Sequence, residues 1–226
     1  QSQLLDLLCQ ATRAPINSII GLAGGLLEER SSWSGNDREY IAEIQRCGDY
    51  LLSLIEKTFL YLDLEHDAEP RREEVDIERL LASVIREVER LEENRAVEIH
   101  VDSEVQGLTV NVERESVARA LGAVLDNAVK HSPEGGTVGV DLRIENAELI
   151  IAVRDRGPGV PPEEVDSIFQ VGVVRERGYP GFGIGLGLPI AKRVAERHGG
   201  RLFLDKSSGP GATFVLSLPI GSPVTA

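Results

Sequence analysis

The sequence predicts an α+β protein in two parts: an antiparallel helical hairpin over residues 1–67 and a mixed α/β domain over residues 74–221. Three observations carry this reading. Apolar side chains recur at helical spacing through most of residues 1–62. Beyond residue 76 the pattern changes to period-two alternation, interleaved with helical stretches. Between these regions AEPRREEVD (68–76) is polar and contains a proline, which reads as a linker.

In the first part, Leu5, Leu8, Thr12, Ile16, Ile19, Leu22 and Leu26 form one stripe. Pro15 interrupts it and is expected to kink the helix, because proline removes a backbone donor. SSWSGN (31–36) reads as a turn, with Asn36 able to cap the next helix. The second stripe runs Ile41, Ile44, Gly48, Leu51, Ile55, Thr58 and Leu62, widened by Leu52, Leu54 and Phe59. Two long helices joined by a short loop lie antiparallel. Alone they leave apolar surface uncovered, and pairing with a second copy into a four-helix bundle covers it.

In the second part, residues 77–93 and 113–131 read as helices, and 97–102 and 108–112 as strands. Strands at 137–145 and 147–155 flank a turn near Glu145 and Asn146. A glycine-rich stretch (172–187) leads into a helix over 186–198. Strands at 201–206 and 212–219 close the domain around SSGPG. Helices beside a mostly antiparallel sheet make an α+β sandwich.

Composition narrows the function. Net charge is −13, and residues 1–69 hold 5 Lys/Arg against 12 Asp/Glu, leaving 19 against 25 in the rest. Both parts are acidic, so neither offers a basic face for nucleic acid. No apolar run approaches the roughly 20 residues of a membrane span, so no membrane contact is expected of this stretch. Two cysteines, Cys9 and Cys47, make no disulfide framework, and a reducing cytoplasm is the expected compartment. A start at Gln1 without signal-peptide features reads as part of a longer chain.

Three segments point to chemistry. Asp155-Arg-Gly157-Pro-Gly159 follows a strand. Its carboxylate can accept from an exocyclic amine, while the glycines let a flat ring approach the backbone. Gly181-Phe-Gly183-Ile-Gly185-Leu-Gly187 opens a helix, where backbone N–H groups favour phosphate. It matches neither GxGxxG nor GxxxxGK[ST], so a mobile lid is the better reading. Asn127 and Lys130, three apart on a helix, share a face. One supplies an amide oxygen for Mg²⁺ and the other an ammonium for phosphate. Each segment alone has an ordinary structural explanation, as a turn, a loop or a solvated face.

Together, and with Gly209-Pro-Gly211-Ala-Thr213 after them, they resemble the N, G1, F, G2 and G3 boxes of the histidine-kinase-type ATPases, the Bergerat or GHKL fold. Ile168-Phe169 matches the F box, and the resemblance spans about residues 74–220. It implies ATP and Mg²⁺ as cofactors. It assigns Asp155 to the adenine amine, Asn127 to Mg²⁺ and Lys130 to phosphate. Gly183, Gly185 and Gly187 would cover the triphosphate. Gly157, Gly159 and Thr213 belong to the same nucleotide-binding set, with Arg175 and Arg177 as candidate cations from the lid. The hairpin resembles the dimerisation and phosphoacceptor helix of sensor histidine kinases, usually H-E-L-R-T-P-L: Arg13, Pro15 and Asn17 fit. Hairpin followed by ATPase is the order of a sensor-kinase transmitter core. Its implied partners are a second copy and the receiver domain of a response regulator, or another kinase.

The match breaks at reactive positions. Gln10 stands where the phosphoacceptor histidine is expected, Ala11 at the acidic position and Ala14 at the threonine position. An amide is no nucleophile at neutral pH. Three losses favour a natural degenerate kinase over a single laboratory substitution. Ala123 replaces the first N-box asparagine, which weakens the expected Mg²⁺ or phosphate contacts and disfavours plain ATP hydrolysis. Two functions follow: a histidine kinase core with its acceptor chemistry lost, or a non-catalytic pseudokinase whose nucleotide-dependent shape controls a partner. A serine kinase or switch of the same superfamily fits less well, because such proteins typically lack the hairpin.

Overall fold

A computed structural model describes residues 70–91, 96–173, 185–206 and 210–221, with scattered positions between 15 and 61. The chain divides into two units, Gln1–Glu65 with Gln170–Leu186, and His66–Phe169 with Gly187–Ala226. In the first unit, the described positions 15–19, 21–22, 39–41, 43–44, 47–48, 51, 55, 57–58 and 61 are helical. The turn and pairing of the expected hairpin, with Gln10 and Arg13, lie outside the described residues. At the far end of this unit, Gly172 N–H donates to the Gly185 carbonyl at 3.2 Å. Gly185 has φ +67°, and a side chain there would run into the Val173 backbone.

The second unit is a two-layer sandwich. Its order is β1 (Glu73–Asp76), α1 (Ile77–Leu91), β2 (Glu98–Ser103), β3 (Thr109–Val112), α2 (Arg114–His131), β4 (Thr137–Glu145), β5 (Glu148–Arg154), α3 (Gly187–Arg197), β6 (Arg201–Leu204) and β7 (Thr213–Pro219). The main sheet has the order β2-β4-β5-β7-β6, parallel between β2 and β4 and antiparallel elsewhere. One face follows strict alternation: Val138, Val140 and Leu142 on β4 meet Leu149, Ile151 and Val153 on β5, and Phe214, Leu216 and Leu218 continue on β7. All nine are 2% exposed or less, so this face is the core against which the helices pack. The opposite face also buries Ile150, Ala152 and Val215.

Local chemistry sets the helix bounds. Asp76 Oδ1 accepts the Arg79 N–H at 3.0 Å, an N-cap that starts α1. Ile77, Leu80, Leu81, Val84, Ile85 and Val88 form its buried stripe. On α2 the buried stripe is Val117, Ala120, Leu121, Val124, Leu125, Ala128 and Val129. Asn146 and Ala147 both take positive φ between β4 and β5, which is the backbone a two-residue hairpin turn requires.

One expectation is overturned. Residues 73–76, read from sequence as linker, form β1 and pair antiparallel with β3, Val75 opposite Val110. Three of the four residues are acidic, which hides the strand signal. The pairing is non-local, and Val75, 2% exposed, anchors it.

Candidate functional site

Asp155 follows directly on β5, at the edge of the helix layer, and is only 2% exposed. Its backbone N–H donates to the Ala212 carbonyl at 2.9 Å, extending the β5–β7 ladder by one rung. Its Oδ1 accepts two backbone N–H groups, from Gly157 at 2.8 Å and from Ala212 at 3.0 Å. One oxygen is thereby fixed, and the other is left to accept from a ligand. A buried carboxylate held by two amides is a rigid acceptor for an N–H donor.

The glycines around it are required by close approach. A Cβ on Gly157 would strike the His131 carbonyl oxygen at the end of α2. A Cβ on Gly211 would strike the Asp155 carbonyl oxygen, and φ there is +98°. Gly159, with φ +73°, packs on the Gly211 carbonyl. The turn after β5, the C-terminus of α2 and the start of β7 therefore interlock through backbone alone, and they hold Asp155 in place.

On α2, Ala123, Asn127 and Lys130 follow at intervals of four and three. All are half-buried, beside the buried stripe rather than within it. Lys130 Nζ lies 2.9 Å from both carboxylate oxygens of Asp126, an i,i+4 pair. That pair holds the ammonium along the helix flank. Gly187 opens α3 and faces α2: a Cβ there would stand 3.5 Å from that of Ala123. Ile168 N–H donates to the Glu164 carbonyl at 3.0 Å in the turns after the site. Phe169 sits edge-on to Phe214, centroids 6.2 Å apart, with the Lys192 ammonium 5.5 Å from its ring centroid.

The structure thus brings Asp155, Gly157, Gly159 and Gly211 into one motif, and Ala123 against Gly187. Thr213 pairs opposite Arg154, and its hydroxyl accepts from Arg154 Nε at 3.4 Å. Its side chain therefore lies on the sheet face of Arg154 rather than that of Asp155. Gly185 belongs to the other unit; Arg175, Arg177 and Gly183 lie outside the described residues. Sequence reasoning missed the Ala212 N–H and the His131 carbonyl. Backbone groups carry no residue-type signature, although an unbroken run of alternation up to Asp155 and from Ala212 on could have paired them. A groove between α1 and β2, lined by Val88, Ile99, His100 and Val129, contains none of these residues.

For Mg²⁺ the test is the donor set. Among the described residues no group of three His, Cys, Asp or Glu could hold a metal ion. Asn127 offers one hard amide oxygen, which fits a cation whose remaining ligands are phosphate oxygens and water.

Residues 112–222 match the family described as histidine kinase-, DNA gyrase B- and HSP90-like ATPase. The sensor-like histidine kinase SenX3 of Mycobacterium tuberculosis is 30% identical over 214 residues, covering 92% of this chain and 51% of that protein. The structure of the mycobacterial sensor histidine kinase MprB is 33% identical, covers 66% of this chain and 97% of that one, and superposes with a TM-score of 0.57. Full-length ShkA in complex with AMPPNP is 28% identical, with a TM-score of 0.71 over 96% of this chain and 45% of that one. This chain belongs to the sensor histidine kinase family and carries its GHKL-type ATPase domain. It spans about half or less of the length of the first curated relatives, 26%, 40% and 51%. Among the described residues no helix is long and apolar enough to cross a membrane.

Proposed function

We propose that this chain is the transmitter core of a sensor histidine kinase that binds Mg-ATP in its second unit and signals to the receiver domain of a response regulator. The observation that carries the reading is the Asp155 carboxylate, one oxygen fixed by two amides and the other open. Adenine presents an amino group where guanine presents a carbonyl oxygen. A fixed carboxylate attracts the first and repels the second. The glycine turns bring backbone close enough to sandwich a flat base. Asn127 reaches the metal that bridges the phosphates, and Lys130 exchanges Asp126 for a phosphate oxygen. Arg175 and Arg177 add positive charge from the glycine segment. The metal's contribution is to neutralise the triphosphate; positioning belongs to these side chains.

At position 10 the chain has no acceptor, since a glutamine amide cannot take a phosphoryl group. Ala11 and Ala14 remove the neighbouring polar groups, and Ala123 removes one N-box oxygen. These four residues favour a second reading, a nucleotide-responsive pseudokinase that uses the dimer and the ATP-dependent lid to govern a partner's binding. Both readings share the adenine site. Competition binding tests it: ATP and ADP should displace a fluorescent adenine nucleotide, and GTP should not compete at a hundredfold higher concentration, given the roughly 10⁴-fold rejection typical of an unpaired buried polar group. Equal competition by GTP contradicts the assignment of Asp155.

A further inference from the structure

His198, the residue after α3, is 2% exposed and takes no part in the site described above. Its Nδ1 lies 2.8 Å from the Val194 carbonyl oxygen. A carbonyl only accepts, so Nδ1 carries the proton. Its Nε2 accepts the Glu113 N–H, at the start of α2, at 3.0 Å. The ring is therefore a neutral bridge from the end of one helix to the start of another. The node is braced on both sides: Arg72 donates to the Arg197 carbonyl at 3.3 Å, and the Arg71 N–H donates to Glu113 Oε1 at 3.3 Å. Glu113 also accepts from the Ser116 hydroxyl.

The same two helices touch elsewhere. Gly187, at the start of α3, faces Ala123. Contacts of residue 113 with 198 and of 123 with 187 make α2 and α3 antiparallel. Ten or eleven helical residues separate the two contacts on each helix, roughly 15 Å. The two spacings nearly match, and each helix is a rigid rod, so a slip at one contact is a slip at the other. Asn127 lies one turn beyond Ala123.

We propose that His198 is a positioning residue: by accepting the Glu113 N–H it fixes the register of α2 and α3, and so seats Gly187 on Ala123, one turn from Asn127. The claim for nucleotide affinity rests on the adenine-site reading; the claim for register does not. An imidazolium could not accept the Glu113 N–H. Burial holds the imidazole below its ordinary pKa; the bond to the Val194 carbonyl works against this, Arg72 and Arg197 add to it, and Glu113 favours the protonated form.

The test is amide NMR on the full chain, nucleotide-free, comparing the protein with His198→Leu, which has no acceptor for the Glu113 N–H, at pH 7.5. The expected result is displacement of the Gly187 amide along with that of Glu113, while Gly157 and Ala212 stay in place. Mg-ADP should bind about tenfold more weakly, the scale expected for a small misplacement of a site. An unmoved Gly187 amide overturns the proposal. Should the variant fail to fold, the unaltered protein decides: between pH 8 and pH 5 the Gly187 amide should follow the His198 ring nitrogens. If it follows the His131 ring, or stays still while Glu113 moves, the proposal fails. Failure of the unaltered protein to bind Mg-ADP sinks the adenine reading instead, and the Gly187 shift still decides the register.

Discussion

Gly157 shows how a single residue holds this site through close backbone approach rather than through side-chain chemistry. Gly157→Ala places a Cβ against the His131 carbonyl oxygen, which is backbone and cannot swing aside. The cost is expected to be about 1–3 kcal/mol, read as a lower urea midpoint with an unchanged slope. Gly211→Ala should cost more, because it adds positive φ to the same kind of clash. His198 gives a pH signature. Its pKa is lowered in the fold by burial, so the unfolded chain binds the proton first. Stability is then full above roughly pH 6.5, the unfolded value, and falls as pH drops from there toward the lowered folded value. Glu113, lowered chiefly by its bond from Ser116, adds a second loss below roughly pH 4.5. Denaturant midpoints taken from pH 8 to pH 3 check both windows, and His198→Gln should flatten the first.

Among the elements, β1 marks the limit of what the sequence made legible. The strands that alternate cleanly, such as Thr137–Glu145, agree with the reading from sequence to the residue. Helices α1 and α2, read from sequence as 77–93 and 113–131, agree within two residues. β1 was not legible, because Glu73, Glu74 and Asp76 leave only Val75 to carry the pattern, and its partner β3 lies thirty-odd residues away. The site divided likewise. Asp155 and its glycines were legible as a motif, since a buried carboxylate and close-packed glycines need those residue types. The second amide donor, from Ala212, was not, since any residue supplies a backbone N–H. Thr213 matched the motif, yet period-two alternation sets its hydroxyl on the face of Arg154. If β1 is part of the ATPase fold, Val75→Ala should lower stability by about 1–3 kcal/mol. A chain shortened to begin at Ile77 should melt several degrees lower, at roughly 2–8 °C per kcal/mol. Unchanged melting would return residues 73–76 to the role of a linker.

At the scale of the whole molecule, an acidic N-terminal part precedes an ATPase domain of the histidine kinase family. Sedimentation is expected to give about twice 24.6 kDa at micromolar concentration, through pairing of the first unit. A stable species of one chain mass removes the dimer. Incubation with γ-labelled ATP should leave no acid-labile phosphate on the chain, because Gln10 replaces the acceptor. Label mapping to any histidine contradicts that. Both results matter only if the second unit binds nucleotide, and one measurement addresses this directly. Calorimetric titration with ATP and Mg²⁺, beside an Asp155→Asn variant, should show binding that weakens roughly 10–100-fold in the variant, the worth of about 1.5–3 kcal/mol for a bond to a charged acceptor. Equal affinity in the two proteins, or no heat of binding in either, would contradict the adenine site.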